Sequence, residues 1–211
     1  MTTIENTSTV LLAMALLPFA LGSLNRGRFR PPLKRNDSEA LPAVSVLIPA
    51  RNEENNISQA VESALASQNI ECEVIVLDDN SEDNTRLIVE DIARNDDRVK
   101  VHTNESLPDG WSGKQYACFQ LSKLAKYDHF LFLDADVRLE PHCLERVMLE
   151  LTHKKLDLLS GFPRQITVTW LEKLILPLIH FVLLGYLPFG RMRRSCSPAA
   201  SAGCGQFFLS T

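Results

Sequence analysis

The chain has 211 residues, with 22 lysines and arginines against 26 aspartates and glutamates, which gives a net charge of −4. A hydrophobic fraction of 45% supports a buried core and excludes a disordered chain. The charge balance lacks the basic excess typical of nucleic-acid binders, so no nucleic-acid partner is expected. The five cysteines form no C-x-x-C pair, which predicts free thiols in a reducing compartment.

The N-terminal region carries an apolar run at residues 10–21 that is short for a bilayer span and contains Pro18. Glu5 precedes this run and basic residues follow it, which is the reverse of a secretory signal peptide. By the positive-inside rule, the order predicts a membrane anchor with the rest of the chain facing the cytoplasm. A buried N-terminal helix is the alternative. The basic residues are Arg26, Arg28, Arg30, Lys34 and Arg35.

A second apolar run covers residues 174–189 and contains two prolines. Arg191, Arg193 and Arg194 follow it directly. Because the run is shorter than a typical membrane span, we expect an amphipathic or re-entrant segment at the membrane interface. The alternative is a buried core helix.

The middle of the chain alternates short apolar runs with helical patterns. The runs at 44–48, 73–77 and 130–133 are bounded by turn formers, which is typical of strands buried on both faces, and 99–101 predicts a further short strand. Apolar residues recur at helical spacing between them. This alternation predicts an α/β fold with a mostly parallel sheet flanked by helices.

Polar residues follow three of these expected strands, at 49–53, 78–81 and 134–136. In open α/β sheets, ligands bind beyond the carboxyl ends of the strands, so these residues should line one crevice. Carboxylates that share a site repel one another. Their convergence therefore predicts a bound cation or a ligand with hydrogen-bond donors.

The tripeptide Asp134-Ala135-Asp136 is the most specific signal. On an extended backbone, side chains two residues apart point the same way. Two carboxylates suit Mg²⁺ or Mn²⁺, with phosphate oxygens completing the coordination. The alternative is a solvated end of a strand.

The segment after the second strand contains Asp78, Asp79 and Ser81. Its oxygens could accept hydrogen bonds from a nucleobase imide and from ribose hydroxyls. Alternatively, the segment forms an Asx turn that caps the next helix, and both interpretations are compatible.

Two further segments are candidates for ligand contacts. Arg51, Asn52 and Glu53 open the first helix, where acidic residues are also favoured by the helix dipole alone. Lys114 ends the segment Gly-Trp-Ser-Gly-Lys and would offset the charge of a ligand phosphate. The alternative is a capping loop with a solvated lysine.

In this order, segments 44–54, 77–81, 110–114 and 133–136 resemble the family 2 glycosyltransferases of the GT-A fold. The chain is most similar to the membrane-associated hopanoid- and carotenoid-type branch, mainly through the Gly-Trp-Ser-Gly-Lys segment. The resemblance implies a nucleotide-sugar donor such as a UDP-sugar, a Mg²⁺ or Mn²⁺ ion, and a lipid-like acceptor at a membrane. It also implies transfer with inversion at the anomeric carbon.

The resemblance implies roles for individual residues. Pro49, Glu53 and Asp79 would line the uridine pocket. Asp134 would face the ribose or the diphosphate, and Asp136 would ligate the metal that stabilises the leaving UDP. The expected metal ligands are Asp134 and Asp136. The expected donor-binding residues are Pro49, Arg51, Asn52, Glu53, Asp78, Asp79, Ser81, Lys114 and Asp134.

The resemblance also implies a catalytic base, because an inverting transfer must remove a proton from the acceptor hydroxyl. Family members carry this carboxylate well downstream of the D-x-D motif, whereas Glu172 is the last acid of this chain. The base is therefore expected beyond Thr211, and the chain is expected to be truncated at its C-terminus.

The expected organisation has four parts. Residues 1–25 form the membrane anchor, 26–42 a basic and Pro-rich linker, and 43–165 the GT-A nucleotide-sugar-binding domain. Residues 166–211 form the apolar interfacial segment and the start of the acceptor-side region.

Two other functions stay open at this point. A non-catalytic nucleotide-sugar-binding protein is compatible with a missing base. A nucleotidyltransferase is less favoured, because Pro-Ala-Arg-Asn-Glu follows the first strand where that class has a Gly- and Arg-rich loop.

Overall fold

The computed structural model describes residues 3–28, 30–33, 40–104, 107–192, 194–195, 197 and 202–211. Lys34, Arg35, Arg193 and Cys196 lie outside these residues, as does much of the expected linker. The elements in chain order are α1 (Thr3–Arg26), β1 (Val44–Ala50), α2 (Ile57–Leu65), β2 (Cys72–Asp78), α3 (Thr85–Asn95), β3 (Val99–Thr103), α4 (Gly113–Leu124), β4 (His129–Leu133), α5 (Cys143–Lys154), β5 (Leu158–Ser160), α6 (Trp170–Tyr186), α7 (Phe189–Met192) and β6 (Phe207–Ser210).

The chain forms two compact units. The smaller contains Met1–Pro31 and Arg164–Ala202, and the larger contains Pro32–Pro163 and Gly203–Thr211. The larger unit holds the six-stranded sheet, in the order β3-β2-β1-β4-β6-β5. Neighbouring strands among the first four are parallel, whereas β6 runs antiparallel to both β4 and β5. The predicted α/β class with a mostly parallel sheet is confirmed.

The central strands are buried on both faces, as their continuous apolar runs predict. Every residue of β2 is buried, and so is every residue of β1 except Pro49. Helix α2 buries Ile57, Ala60, Val61 and Ala64 against the sheet, a spacing that places them on one face. Removing each large aliphatic side chain from water contributes about 1.5–3 kcal/mol, so this helix–sheet contact is a main source of stability.

Strand β1 extends beyond the expected stop at Pro49. Pro49 pairs with Leu77 and Ala50 with Asp78 in the parallel register. The Asp79 N–H donates to the Ala50 oxygen over 2.8 Å. The backbone hydrogen bonds between β1 and β2 therefore continue past Pro49, although proline has no N–H to donate. The ends of β1 and β2 are aligned as a result.

The C-terminal residues of the chain belong to the sheet. Phe207 and Leu209 of β6 are buried, and the alternate residues are half-buried. The sequence pattern groups these residues with the apolar segment that starts at 166, because a four-residue run gives no sign of its distant partner. The pairing of Leu131 with Leu209 brings the segment into the α/β unit.

The smaller unit contains α1 and α6, which pack together at two small residues. A Cβ atom on Gly185 would lie 3.2 Å from Pro18, and Gly22 also lies close to Gly185. The buried Asn25 side chain donates two hydrogen bonds, to the oxygens of Leu184 and Leu187. These bonds satisfy carbonyl groups that the end of α6 leaves without a helical partner.

Helix α6 begins at Trp170, four residues before the apolar run. The residues around its N-terminus explain why it begins there. Thr169 and Glu172 form a capping box, in which the Thr169 hydroxyl accepts from the Glu172 N–H and the Glu172 carboxylate accepts from the Thr169 N–H. Large apolar side chains of α6 are exposed along its length. They are Trp170, Leu171, Leu174, Ile175, Leu178, Ile179, Phe181, Val182 and Tyr186.

Helix α1 is long and apolar enough over Asn6–Arg26 to cross a membrane. A signal sequence near the N-terminus passes the same test, as does the core helix of a soluble protein. Almost none of this segment is buried, which is unlike a core helix.

Candidate functional site

The carboxyl ends of the first three strands meet at one edge of the sheet. In the parallel register, Ala50 lies beside Asp78, and Asp78 beside Thr103. The residues that follow these strands are therefore neighbours. The sequence-predicted residues after β1 and β2 lie here, and so does Asn104, which the sequence analysis did not single out.

Asn104 holds Asp79 in place. Its Nδ2 donates to Asp79 Oδ1 over 2.7 Å, and its backbone N–H donates to the Asp78 oxygen over 2.9 Å. Asp78 is buried, and its Oδ1 has no hydrogen-bond partner among the described residues; the same is true of Asn104 Oδ1. Buried acceptors of this kind are costly without a donor, so they suit a ligand that supplies one.

The turn after β1 is locked to the turn after β2. Asn52 has a left-handed backbone with φ of 56°. Its N–H donates to Ser81 Oγ over 3.0 Å, and its Oδ1 accepts from the Glu82 N–H over 2.8 Å. Asparagine is among the few residues that adopt this conformation at low cost. The hydrogen bonds of Asn52 with Ser81 and Glu82 therefore hold the two turns together.

Glu53 lies before helix α2 and not within it. Helix α2 starts at Ile57, so the helix dipole does not explain the acid by itself. The Glu53 N–H donates to Thr85 Oγ1 over 2.7 Å, and its Oε2 accepts from Asn56 Nδ2 over 3.0 Å. Contacts on both sides therefore fix its position.

The segment Gly110–Lys114 contacts both groups of acids. A Cβ atom on Gly113 would lie 3.2 Å from Asp79 Oδ2. The next residue, Lys114, donates from Nζ to Asp134 Oδ1 over 2.6 Å. Two consecutive residues at the start of α4 therefore lie beside the acid after β2 and the acid after β4, respectively.

Aromatic contacts hold this loop against its own helix. The Trp111 ring lies 5.5 Å from that of Tyr116 and 5.1 Å from that of Phe119, measured between centroids. Gly110 has a φ of 84°, a conformation that other residues rarely adopt. The turn and the ring contacts together place Gly113 and Lys114.

The two acids of the D-x-D tripeptide lie in a turn. The Val137 N–H donates to the Asp134 oxygen over 3.0 Å and closes this turn, so the expected extended backbone is not observed. The Asp134 N–H donates over 3.0 Å to the Gln206 oxygen, just before β6. Asp134 is half-buried beside Lys114, and Asp136 is exposed.

Pro49 and Arg51 complete the set of predicted residues. Pro49 is half-buried within β1, beside Leu77 of β2. Arg51 is exposed, and its Nη1 lies 3.9 Å from Asp79 Oδ2. Such an exposed pair contributes about 0–1 kcal/mol, so the Arg51 side chain is free to approach an anionic ligand.

The donor set fits a divalent cation that shares its coordination with a ligand. Within the described ranges, no three histidine, cysteine, aspartate or glutamate side chains form a metal-binding cluster. Asp134 and Asp136 supply carboxylates from one turn, and carboxylates are ligands that Mg²⁺ and Mn²⁺ prefer. The remaining positions would be filled by oxygens from the ligand or from water.

A family model matches residues 45–209, which include the whole sheet except Val44 at the start of β1 and Ser210 at the end of β6. The matching model is that of glycosyl transferase family 2. The chain belongs to this family. The match extends over every residue of the candidate site.

Curated relatives agree with the resemblance to the carotenoid-type branch. The chain is 35% identical over 116 residues to a 4,4'-diaponeurosporenoate glycosyltransferase of Staphylococcus haemolyticus, covering 54% of this chain and 30% of the relative. It is 30% identical over 130 residues to the corresponding enzyme of Staphylococcus aureus strain MRSA252, covering 62% of this chain and 33% of the relative. The chain therefore matches about a third of the length of each.

Solved structures share the fold. A mannosyltransferase from Pyrobaculum calidifontis, in complex with GDP-Man and Mn²⁺, superposes with a TM-score of 0.64 at 18% identity, covering 96% of this chain and 55% of that one. A glucosyl-3-phosphoglycerate synthase from Mycobacterium tuberculosis, in complex with Mn²⁺, UDP and glucosyl-3-phosphoglycerate, gives a TM-score of 0.53 at 23% identity, covering 87% of this chain and 62% of that one. Both support the GT-A assignment.

Proposed function

We propose that this protein takes part in the transfer of a sugar from a nucleotide-sugar donor, a UDP-sugar, to a lipid-like acceptor with inversion. The observation that carries the proposal is the position of Gly113 and Lys114. Gly113 lies so close to Asp79 that a Cβ atom on it would be 3.2 Å from Oδ2, and Lys114 donates a hydrogen bond to Asp134. One donor molecule could therefore contact both acids, with its nucleoside at the first and its diphosphate at the second.

The nucleoside end of the donor would lie against Asp78, Asp79, Glu53 and Pro49. A uracil imide N–H and the ribose hydroxyls are hydrogen-bond donors, and these carboxylates accept hydrogen bonds. The Asp79 carboxylate is held by Asn104, so little conformational freedom is lost when a ligand binds. Ser81 and Asn52 would support this end by keeping the two turns together.

The diphosphate end would lie between Lys114, Arg51 and the turn that holds Asp134 and Asp136. The positive charges of Lys114 and Arg51 would offset negative charge on the phosphates. Asp134 and Asp136 would hold a Mg²⁺ or Mn²⁺ ion, which would supply Lewis-acid stabilisation of the leaving nucleotide. The mannosyltransferase and the synthase described above were each crystallised with Mn²⁺.

No carboxylate among the described residues is assigned the role of the catalytic base. A base must approach the acceptor hydroxyl within hydrogen-bonding distance, directly or through one water. The chain matches about a third of the curated relatives, so the activity of the whole protein is part of this proposal.

The acceptor is proposed to be lipid-like and to reach the site from a membrane. The named relatives act on 4,4'-diaponeurosporenoate, according to their names. Exposed apolar side chains on α1 and α6 would enter the bilayer or its interface. Arg26 ends α1, and Arg28 and Arg30 follow it, which would place the α/β unit in the cytoplasm by the positive-inside rule.

The transfer reaction can be tested with the full chain in detergent micelles. The samples would contain Mn²⁺, 4,4'-diaponeurosporenoate and a radiolabelled UDP-sugar or GDP-sugar. Label that moves to the organic phase with a UDP-sugar supports the proposal, and label that moves only with a GDP-sugar contradicts the choice of donor. Metal-dependent UDP binding without any transfer would support the donor site alone, and the second candidate, a non-catalytic nucleotide-sugar-binding protein, predicts the same outcome.

Membrane association needs its own test. After expression in bacteria, the full chain should stay in the membrane pellet through a carbonate wash, as an inserted anchor requires. External protease should leave the α/β unit intact in sealed spheroplasts and digest it in inverted vesicles. Release by carbonate would contradict the anchor, and digestion in spheroplasts would contradict the orientation.

A further inference from the structure

Arg138 follows the turn of the D-x-D acids and makes four hydrogen bonds. Its Nη1 donates to the Ala135 oxygen over 3.0 Å and to the Val137 oxygen over 3.2 Å. Its Nη2 donates to Asn56 Oδ1 over 3.2 Å, and its Nε donates to Gln59 Oε1 over 3.1 Å. The guanidinium group therefore joins the backbone of the acid turn to the start of α2.

Asn56 continues this connection to the other side of the site. Its Nδ2 donates to Glu53 Oε2 over 3.0 Å, and its backbone N–H donates to the Glu53 oxygen over 2.9 Å. The acid turn and the Glu53 carboxylate are thus linked through two side chains, Arg138 and Asn56.

We propose that Arg138 is a positioning residue that couples the metal-binding turn to the nucleoside pocket at Glu53. The inference rests on the proposed function, because it assumes that both places contact one donor. Only arginine offers donors in a planar fork that can reach two carbonyl groups and an amide oxygen at once. Lysine would keep the charge and lose this geometry.

The proposed coupling predicts that an Arg138 variant loses part of the nucleotide affinity that the metal provides. When Arg138 is present, the turn is ordered before the metal and the diphosphate arrive, and binding does not have to order it. Without the guanidinium, the two carbonyl groups lose their donors and the turn loses its link to α2. The gain in nucleotide affinity that the metal provides should then fall, because that gain depends on the geometry of the turn.

The test is calorimetric titration of the full chain in detergent with UDP, once with Mn²⁺ and once with EDTA. The ratio of the two affinities measures the coupling between metal and nucleotide. We expect Arg138→Lys to lower this ratio about tenfold, in the usual range of such couplings. Asn56→Ala should lower it as well, and the double variant should lose less than the product of the two single losses.

The matched control is Gln59→Ala, which removes only the partner of Nε and should keep the wild-type ratio. Thermal melting of each variant identifies those that fail to fold, and Asn56→Ala then carries the test if Arg138→Lys unfolds. An unchanged ratio in folded Arg138→Lys and Asn56→Ala would overturn the inference. So would equal losses of affinity with and without Mn²⁺, because a merely structural residue acts that way. A wild-type chain that binds no UDP in either condition would overturn the proposed function itself.

Discussion

Lys114 donates from its Nζ to Asp134 Oδ1 over 2.6 Å, across two elements that follow different strands of the sheet. The pair places a cation against the first acid of the D-x-D tripeptide. The charge of Asp134 is thus partly balanced before any ligand approaches. The second acid of the tripeptide, Asp136, is exposed in the same turn.

Replacing Lys114 by alanine should weaken UDP binding in the presence of Mn²⁺ by roughly 10- to 100-fold, because a charge-assisted hydrogen bond contributes about 1.5–3 kcal/mol. Stability should hardly change. The Lys114 side chain is 58% exposed, and an exposed ion pair contributes at most about 1 kcal/mol. Titration calorimetry measures the affinity, and thermal melting measures the stability.

The control for this variant is Lys123→Ala on the same helix. Lys123 lies with its Nζ 4.1 Å above the Phe119 ring and has no proposed contact with the donor. UDP should bind this variant as it binds the wild type. Equal losses in the two variants would mean that Lys114 acts only through the general positive charge of α4.

Replacing Asn104 by aspartate should make UDP binding depend on pH. The new carboxylate would lie where Nδ2 now donates to Asp79 Oδ1 over 2.7 Å, and two adjacent carboxylates repel. At pH 8 we expect affinity to fall at least tenfold. As the pH is lowered towards 5.5, the pair takes up a proton that restores a donor, and affinity should recover relative to the wild type.

The comparison variant is Asn104→Ala, which cannot regain a donor and should bind weakly at every pH. Affinity would be measured by calorimetry without metal, because metal binding has its own pH dependence. Parallel pH profiles of the two variants would contradict the proposed role of Asn104.

Replacing Gly113 by alanine should separate stability from binding. Alanine is favoured over glycine by about 1 kcal/mol in a helix interior and by less at the first residue of α4, so the melting temperature should at least hold. The added Cβ would lie 3.2 Å from Asp79 Oδ2, and the carboxylate would have to shift. We expect weaker UDP binding in a chain that is at least as stable.

Gly27→Ala is the control, because a Cβ there would meet nothing within 4 Å. It should change neither UDP affinity nor the folding of the α/β unit. A Gly113→Ala variant that binds UDP as the wild type does would show that the donor tolerates a shift of Asp79.

Glu73, at the opposite end of β2, should make stability depend on pH. Burial alone would raise the pKa of Glu73, but hydrogen bonds from Ser45, from Lys100 and from the Lys126 N–H together lower it below its ordinary value of 4.5. A lowered pKa in the folded state means that the stabilisation is present above pH 4.5 and is lost as the pH falls through the folded-state value.

The variant Glu73→Gln should therefore be less stable than the wild type at pH 7, by about 2 kcal/mol, because a buried charged acceptor is lost. The difference should shrink as the pH falls below 4.5. Melting curves between pH 3 and pH 8 measure both effects, and a difference that grows at low pH would contradict the stated cause.

Much of the site could be predicted because parallel strands carry their carboxyl ends to the same edge. That rule predicts that Asp79 lies near the residues after β1, and Arg51 Nη1 does lie 3.9 Å from Asp79 Oδ2. The same rule, applied to β3, would have found Asn104, since that residue follows Thr103 directly. Asn104 carries an amide and no charge, so the pattern of acids at the strand ends does not mark it.

Other features could not be predicted from local patterns. Strand β6 has only four residues, and its partner Leu131 lies far away in the sequence. The hydrogen bond between Arg138 and Asn56 joins residues 82 positions apart. The D-x-D acids were expected on an extended backbone, but the hydrogen bond from Val137 to Asp134 makes a turn, which the tripeptide alone does not reveal.

The central claim is that one metal-dependent nucleotide site joins Asp79 with the turn of Asp134 and Asp136. The most direct test is a calorimetric titration of the full chain in detergent with UDP and Mn²⁺, repeated with EDTA and with Asp136→Ala. We predict saturable binding to the wild type that weakens at least tenfold in both controls. Binding that is unchanged by EDTA and by Asp136→Ala would contradict the metal site, and a folded chain that does not bind UDP would contradict the account as a whole.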